Sequence, residues 1–447
     1  MLNWLKNRLA PAGKNPRNAP YVLSSKQHPI SPRDISKAAQ DVVAALNDAG
    51  YQAYVVGGCI RDLLLKTKPK DFDVATDATP EQVKDLFRRS RIVGRRFQIV
   101  HVRMGREVIE VTTFRAHHQG NDKQAQQSKQ GMLLRDNVFG DISQDAARRD
   151  FTINGFYYQP QDNSIYDYAN GLADLKQRTL RMIGDPEQRY REDPVRMLRA
   201  VRFAAKLGFD IEPKTLAPIH KLAKLLKDIP PARLFDEVIK LLMSGNGLAT
   251  FHLMREQQLF QQLFPNTEAL LIEDPQQLEF IEQALINTDQ RIRSGKRVTP
   301  AFMYAALLWP VVVKHSQQFL SGGESPAYAW QHGANLAIEQ QLPRIAIPRR
   351  FTNPMRDIWS LQQRLPRRAG KQAERVMGHP RFRAGYDFVL LREQAGEDLE
   401  GLGQWWTIYQ EADETKRQDM CTKLHSGKKP GRRRRKRGPR RKSGNPA

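Results

Sequence analysis

The stretch from Tyr54 to Asp73 constrains this chain more than any other. An apolar run, Tyr54-Val55-Val56, enters Gly57-Gly58, and a short helical segment from Cys59 to Leu65 follows. A second apolar-flanked strand is then expected to present Asp71 and Asp73. Side chains alternate along a strand, so both carboxylates face one way while Phe72 faces the core. At a rise of ~3.3 Å per residue the two acids stand ~7 Å apart, a placement that calls for a cation between them. The glycines upstream carry no Cβ and leave backbone N–H groups open to a phosphate. Gly-Gly or Asp-x-Asp alone says little. Close together in a strand–turn–helix–strand setting, they read as a metal and triphosphate site.

The charge balance agrees with such a site. The 447 residues carry a formal net charge of +24 with a pI near 10.1, which points to a polyanionic partner, nucleic acid before an anionic membrane surface. Cys59 and Cys421 are the only cysteines. That excludes a disulfide scaffold or a cysteine zinc site and fits a reducing cytosol. Met1–Ala10 is too short and too polar for a secretory h-region. The longest apolar run, Ala301–Val313, contains Pro310 and is too short to span a bilayer, so it reads as a buried helix. A soluble, cytoplasmic protein is expected.

Along the chain, residues 1–30 lack a sustained period and read as a flexible extension. Ile35, Ala38, Ala39, Val42, Leu46 and Ala49 recur at helical spacing and stop at Gly50, a natural C′ glycine. Thr79-Pro80-Glu81-Gln82 carries an N-cap, a proline at the first helical position and a capping box. Residues 97–102 and 107–114 alternate around Gly105 as a hairpin. Residues 117–131 have almost nothing apolar and read as a mobile loop over a site mouth, His117-His118 included. Beyond residue 185 helical patterns dominate. Asp193 is expected to cap a helix that starts at Pro194 and ends at Gly208. That helix has one apolar face, Met197, Leu198, Val201, Ala204 and Ala205. Arg196, Arg199, Arg202 and Lys206 lie opposite, beside Phe203, as a solvated or a nucleotide-binding face. Pro230-Pro231 opens a helix with the apolar set Leu234, Phe235, Val238, Leu241 and Leu242. Helical pattern then runs from 266 to 415, broken at prolines including Pro310, and Trp405-Trp406 reads as core. Residues 428–442 hold eleven Lys or Arg and no acid, leaving +13 (24 − 11) on the remainder. Such a run cannot collapse, and its arginines suit phosphate binding.

Three further clusters complete the pattern. Glu110 sits between Ile109 and Val111 on a strand. Arg148-Arg149-Asp150-Phe151-Thr152-Ile153-Asn154 joins two cations to an acid and an amide. Glu192-Asp193-Pro194-Val195-Arg196 supplies acids and a guanidinium. With Gly57–Asp62, Asp71-Phe72-Asp73, and Asp167, Gly171 and Asp174, these resemble, in order, the motifs of the class II nucleotidyltransferases. That superfamily comprises bacterial poly(A) polymerases and CCA-adding enzymes. The resemblance runs from about residue 31 to 265. The segment Ile92–Val102, the stretch Arg189–Phe209 and the basic C-terminus are similar to the poly(A) polymerase branch. Cys59 stands where many members carry glycine, and a thiol there could be oxidation-sensitive.

The resemblance implies an α+β chain: a small mixed-sheet nucleotidyltransferase head at 31–185, an all-α neck at 186–265, an all-α body at 266–415 and a disordered basic RNA-binding tail at 416–447. It implies addition of AMP from ATP to RNA 3′ ends without a template, feeding RNA decay and its machinery. A CCA-adding enzyme is the alternative within the superfamily, and a non-catalytic RNA-binding protein the alternative outside it. Two Mg²⁺ ions suit this chemistry, with Asp71 and Asp73 plus phosphate oxygens as core ligands. By the same resemblance Gly57, Gly58 and Arg61, in one motif with Asp62, hold the triphosphate. Arg149, Asp150 and Asn154 lie near phosphates and ribose, Asp193 and Arg196 read the base, and Arg199 and Arg202 extend the nucleotide face. Glu110 and Asp150 are rivals for the third catalytic carboxylate.

Overall fold

The computed structural model describes residues 19–94, 98–116, 125–127, 133–136 and 138–426. Its contacts divide the chain into two units. The first comprises Met1–Ala269, Leu285–Arg297 and Gln341–Ala346, and the second Leu270–Ala284, Val298–Gln340 and Ile347–Ala447.

The first unit opens with β1 (Tyr21–Leu23), α1 (Lys37–Asp48), β2 (Ala53–Val56), α2 (Gly58–Leu64), β3 (Asp73–Thr76) and α3 (Pro80–Leu86). There follow β4 (Ser90–Val93), β5 (Ile99–Met104), β6 (Glu107–Thr113), β7 (Ala125–Gln127), β8 (Leu133–Asp136) and α4 (Ile142–Arg148). β9 (Phe156–Gln159), β10 (Ser164–Asp167) and α5 (Gly171–Gln177) complete the sheet region. Eight strands form one mixed sheet in the order β1-β10-β9-β2-β3-β6-β5-β4. Only the β3–β6 pair is parallel in that sheet. Local chemistry sets the ends of the flanking helices. Ser36 accepts from the Ala39 N–H at 3.1 Å to start α1, and Gly50 at φ +87° follows its end. Thr79 and Gln82 form the expected capping box of α3. Val56, Ala75, Phe114, Ala146 and Tyr157 form a buried cluster behind the glycine turn, so the turn rests on a rigid floor.

The neck is helical as expected: α6 (Pro186–Glu192), α7 (Val195–Leu207), α8 (Pro213–Leu222), α9 (Pro231–Leu242) and α10 (Gly247–Glu256). The whole apolar set of α9 is buried. In the second unit Leu361, Leu365, Tyr386, Val389, Trp406 and Tyr409 share a core. Trp406 donates its indole N–H to the Leu365 carbonyl at 3.1 Å, so it is core as read. Among the described residues no helix is long and apolar enough to cross a membrane.

Four expectations change. The extension over residues 1–30 contributes β1, which pairs antiparallel with β10; its three residues, Tyr21-Val22-Leu23, are too few to set up a recognisable alternation. Within the expected loop 117–131, Ala125–Gln127 pairs with Leu133–Asp136 through backbone bonds that polar residues form as readily as apolar ones. His117 and His118 lie outside the described residues. Pro310 does not break its helix, which runs from Pro300 to Ser321. A mid-helix proline costs about 3 kcal/mol, and the nearly continuous burial of Met303–Val312 offsets that. The tail expected from 416 begins as helix Glu414–Ser426, where Asp413 accepts from the Lys416 N–H and Cys421 is buried. The basic run 428–442 lies outside the described residues.

Candidate active site

Strand register builds the carboxylate centre. Asp73, the first residue of β3, lies opposite Val56 on one side and opposite Glu110 on the other. Asp71 precedes the strand, exposed, with Lys70 at 3.8 Å. Alternation is therefore not imposed on Phe72, which is half-buried rather than in the core. The Asp73 residue reaches solvent, yet partial burial of its carboxyl raises its pKa to about 6. Glu110 and Asp71 add repulsion, and Arg149 only partly offsets them. Three acids thus crowd one edge. Among the described residues no three His, Cys, Asp or Glu side chains form a protein-only metal site. Mg²⁺ does not need one, because it is commonly held by one or two carboxylates together with substrate phosphates and water. The repulsion at Asp73 is what a divalent cation relieves, so the donor set fits the metal.

The glycine turn faces two arginines. Gly57 has φ +84°, and a Cβ there would stand 3.3 Å from Arg149 Nη1; at Gly58 a Cβ would stand 3.3 Å from Arg61 Nη2. Arg61 is buried and held in place: it donates to Asp62 Oδ1 at 2.8 and 2.6 Å and to Asn154 Oδ1 at 2.5 Å. Lys206 of α7 reaches Asp62 Oδ2 at 3.4 Å. Asp62 and Asn154 therefore aim a guanidinium at the turn.

Arg149 is fixed from below. Its Nε donates to the Tyr157 hydroxyl at 2.9 Å and its Nη2 to Asp145 at 3.2 Å, while Tyr157 donates to Asp145 at 2.6 Å. Burial opposes its charge, but Tyr157 and Asp145 outweigh that and keep its pKa raised. Asp150 has a different fate from Asp73. It accepts from Arg199 Nε at 2.7 Å, from Asn154 at 3.1 Å and from the Phe151 N–H at 2.8 Å. Burial alone would raise its pKa; Arg199, Asn154 and that N–H overcome burial and lower it to about 2. The parallel register sets Glu110 directly opposite Asp73, whereas the Asp150 carboxylate is engaged by Arg199.

On α7 the expected wet face is partly buried, because Phe203 is 7 % exposed and packs edge-on against Phe151. Three guanidinium groups surround its ring, those of Arg61, Arg199 and Arg202 at 5.2, 5.2 and 4.6 Å. Arg202 Nε is buried without a hydrogen-bond partner among the described residues. Burial, and then repulsion from Arg199, lower the Arg202 pKa to about 10. An anion would satisfy this cluster. Asp193 does not cap α7; that position belongs to Pro194. Its carboxylate accepts two bonds from Arg233 at 2.9 and 2.8 Å. Arg196 donates to the Arg189 carbonyl at 2.7 Å and to Glu192 at 2.9 Å.

Residues 53–181 match a family model for the poly A polymerase head domain. Residues 208–271 match one described as a probable RNA and SrmB-binding site of polymerase A, and 322–442 one for the polymerase A arginine-rich C-terminus. Poly(A) polymerase I of Salmonella typhimurium is 49 % identical over 94 % of this chain and 93 % of its own length. The chain belongs to the poly(A) polymerase I family. A CCA-adding enzyme of Lactobacillus helveticus is 39 % identical over only 51 % of the chain and 55 % of its own length. The CCA-adding enzyme of Bacillus stearothermophilus in complex with CTP shares the fold, with a TM-score of 0.54 and 25 % identity over 87 % of this chain and 81 % of that one. The chain is thus a polynucleotide adenylyltransferase, of a nucleotidyltransferase family that uses ATP and a divalent metal.

In this poly(A) polymerase I family member several supporting residues escaped the sequence reading. Arg189 is buried, donates to the Arg148 carbonyl and to the Arg149 carbonyl at 2.8 Å, and meets Glu192 at 2.6 Å. Tyr157 and Asp145 act through Arg149, eight and four residues away, and Arg233 through Asp193, forty residues away. The Asp167 motif is densely tied: Asp167 accepts from the N–H groups of Ala169, Gly171 and Leu172, and Thr152 donates to Asp174 at 2.7 Å. A Cβ on Gly171 would meet the Thr152 carbonyl oxygen at 2.3 Å. Cys59 is 5 % exposed, and burial followed by repulsion from Asp73 pushes its thiol to about 12. Burial and the raised pKa both disfavour the thiolate, the reactive form, and so argue against the expected sensitivity to oxidation. In the native protein at pH 8, iodoacetamide should leave Cys59 unmodified, with labelling appearing in denaturant; mass mapping of native-state label onto Cys59 contradicts this.

Proposed function

We propose that this chain transfers AMP from ATP to an RNA 3′ hydroxyl at the edge formed by Asp71, Asp73 and Glu110. The single observation that carries the assignment is the parallel register setting Glu110 against Asp73 while Asp150 is consumed by Arg199. Asp71, Asp73 and Glu110 would hold two Mg²⁺ ions. When bound, those ions lower the pKa of the attacking hydroxyl and neutralise the departing pyrophosphate. Gly57 and Gly58 let the triphosphate approach the backbone, and Arg61 and Arg149, pre-aimed by Asp62, Asn154, Asp145 and Tyr157, bind it without reorganising. Arg199 and Arg202 face the nucleotide from α7, and the latter's unpartnered Nε supports that role. Asp193 and Arg196, each held by a counter-charge, present fixed donors and acceptors to the base edge. Asp150 is a positioning residue that joins the head to α7 through Arg199. Kinship, rather than geometry, supports the reading that its products feed RNA decay in the cytoplasm.

Primer extension tests the reaction. With Mg²⁺, an oligoribonucleotide and ATP alone, a long ladder is expected, and with CTP alone little or no extension. A single addition to tRNA ending in CC would indicate the CCA-adding reaction, and RNA binding without any incorporation would indicate a non-catalytic protein.

A further inference from the structure

The carboxylate row continues beyond Glu110. In the β5–β6 register Glu110 lies opposite His101, and in the β4–β5 register His101 lies opposite Arg91. Asp73, Glu110, His101 and Arg91 therefore form one line across four strands on a single face of the sheet. At about 4.8 Å per strand, Arg91 stands ~14 Å from Asp73. His101 Nε2 is 3.5 Å from Glu110, linking the two halves of the row. At the far end an open groove of about 340 Å³ is lined by Arg88, Arg89, Arg91, His101 and Arg103. The four arginines are exposed, and no carboxylate among the described residues pairs with them. Arg103 follows His101 by two residues, so it shares the face of the row, opposite Arg89 and diagonal to Arg91. Four unpaired guanidinium groups repel one another, and holding them together is unfavourable unless an anion joins them.

The geometry points to this groove as a binding track for the phosphate backbone of the RNA strand, upstream of the 3′ end undergoing extension. The 3′ hydroxyl lies at Asp73 and Glu110, and the preceding nucleotides cross β6 and β5 toward Arg91 and Arg103. An RNA strand fits better than pyrophosphate, since Arg91 lies two strands from Glu110 and three from Asp73, and the groove is open rather than enclosed. The track rests on the proposed placement of the 3′ end, and it differs from the helical region 208–271 matched to a probable RNA-binding site.

The test is the Arg91→Ala/Arg103→Ala double substitution in the full chain. RNA affinity is measured by fluorescence anisotropy across a salt series, and KM for primers and for ATP by extension. Loss of two phosphate contacts should flatten the slope of log K against log salt by about 1.4 (2 × ~0.7). It should also raise KM for a primer of ten or so nucleotides about tenfold, with a smaller effect on a two-nucleotide primer. The Arg91→Lys/Arg103→Lys protein should recover most of the slope, which a merely structural role would not produce. An unchanged slope and primer KM overturn the track, as does an effect confined to KM for ATP or to inhibition by pyrophosphate. Asp73→Asn separates this from the active-site reading: it should bind RNA with the wild-type slope yet fail to extend it. Normal extension by that protein would remove the active-site reading while the arginine slopes still report on the groove.

Discussion

Asp73→Asn is expected to reduce Mg²⁺-dependent AMP incorporation by at least ~10³-fold while leaving the fold intact, because the metal's several kcal/mol of transition-state stabilisation convert at 1.36 kcal/mol per decade. Asparagine keeps the size of the side chain but cannot carry the charge that holds a divalent cation. Asp71→Ala should behave in the same direction, although Asp71 is exposed and outside the ladder. Stability supplies an independent readout. The folded-state pKa of Asp73, about 6, lies above the ~3.9 of an unfolded chain. Between those values the folded protein binds a proton that the unfolded chain has released, so this group's contribution is present at low pH and lost as pH rises through about 6. At pH 7.5 without metal, the Asp73→Asn protein should therefore melt no lower than the wild type. Adding Mg²⁺ with ATP should raise the wild-type Tm by mass action, and that part of the gain due to metal should vanish in the variant. Near-normal turnover in either variant, or an equal Mg²⁺ effect on both melting curves, would refute the carboxylate centre.

What was legible in the sequence was local. Gly57-Gly58, the Thr79 capping box and the apolar stripe of α9 are set by neighbours within a turn or two, and the structure places them as read. What was not legible depends on register and on distant partners. Glu110 and Asp150 stood as rivals because sequence shows neither strand register nor distant partners; the parallel β3–β6 ladder sets Glu110 opposite Asp73, and Arg199 pairs with Asp150. Asp193 looked like a helix cap because Pro194 follows it, yet Arg233, forty residues on, takes both of its oxygens. Phe203 looked solvated because its neighbours on the wheel are arginines. Their guanidinium groups instead pack round its ring, which periodicity cannot show. Pro310 misled in the opposite direction: a strong local signal lost to the burial of the helix around it.

The Asp150–Arg199 pair carries the largest expected effect on stability. Arg199 Nε and Nη2 both contact Asp150 Oδ2, and Asn154 and the Phe151 N–H occupy Oδ1. Asp150→Ala leaves a guanidinium beside Phe203 without its counter-charge and adjacent to Arg202 and Arg61. Breaking a buried pair from one side costs about 3–5 kcal/mol, and the partial exposure of Arg199 places this case near the lower end. Removing both partners with Asp150→Ala/Arg199→Met should cost less than Asp150→Ala alone, since no uncompensated charge remains. Urea unfolding measures both. The pH dependence has the opposite sign to that of Asp73. Asp150's folded value of about 2 lies below the unfolded ~3.9, so its contribution is present above ~pH 4 and lost as pH falls toward 2. The kinetic consequence separates positioning from metal binding. Asp150→Asn, which retains part of the hydrogen bonding, should raise KM for ATP by misplacing Arg199 and Asn154, with little change in the Mg²⁺ concentration giving half-maximal rate. Glu110→Gln should raise that Mg²⁺ requirement with little change in stability. The reverse pattern would make Asp150 the metal-binding carboxylate and Glu110 the structural one.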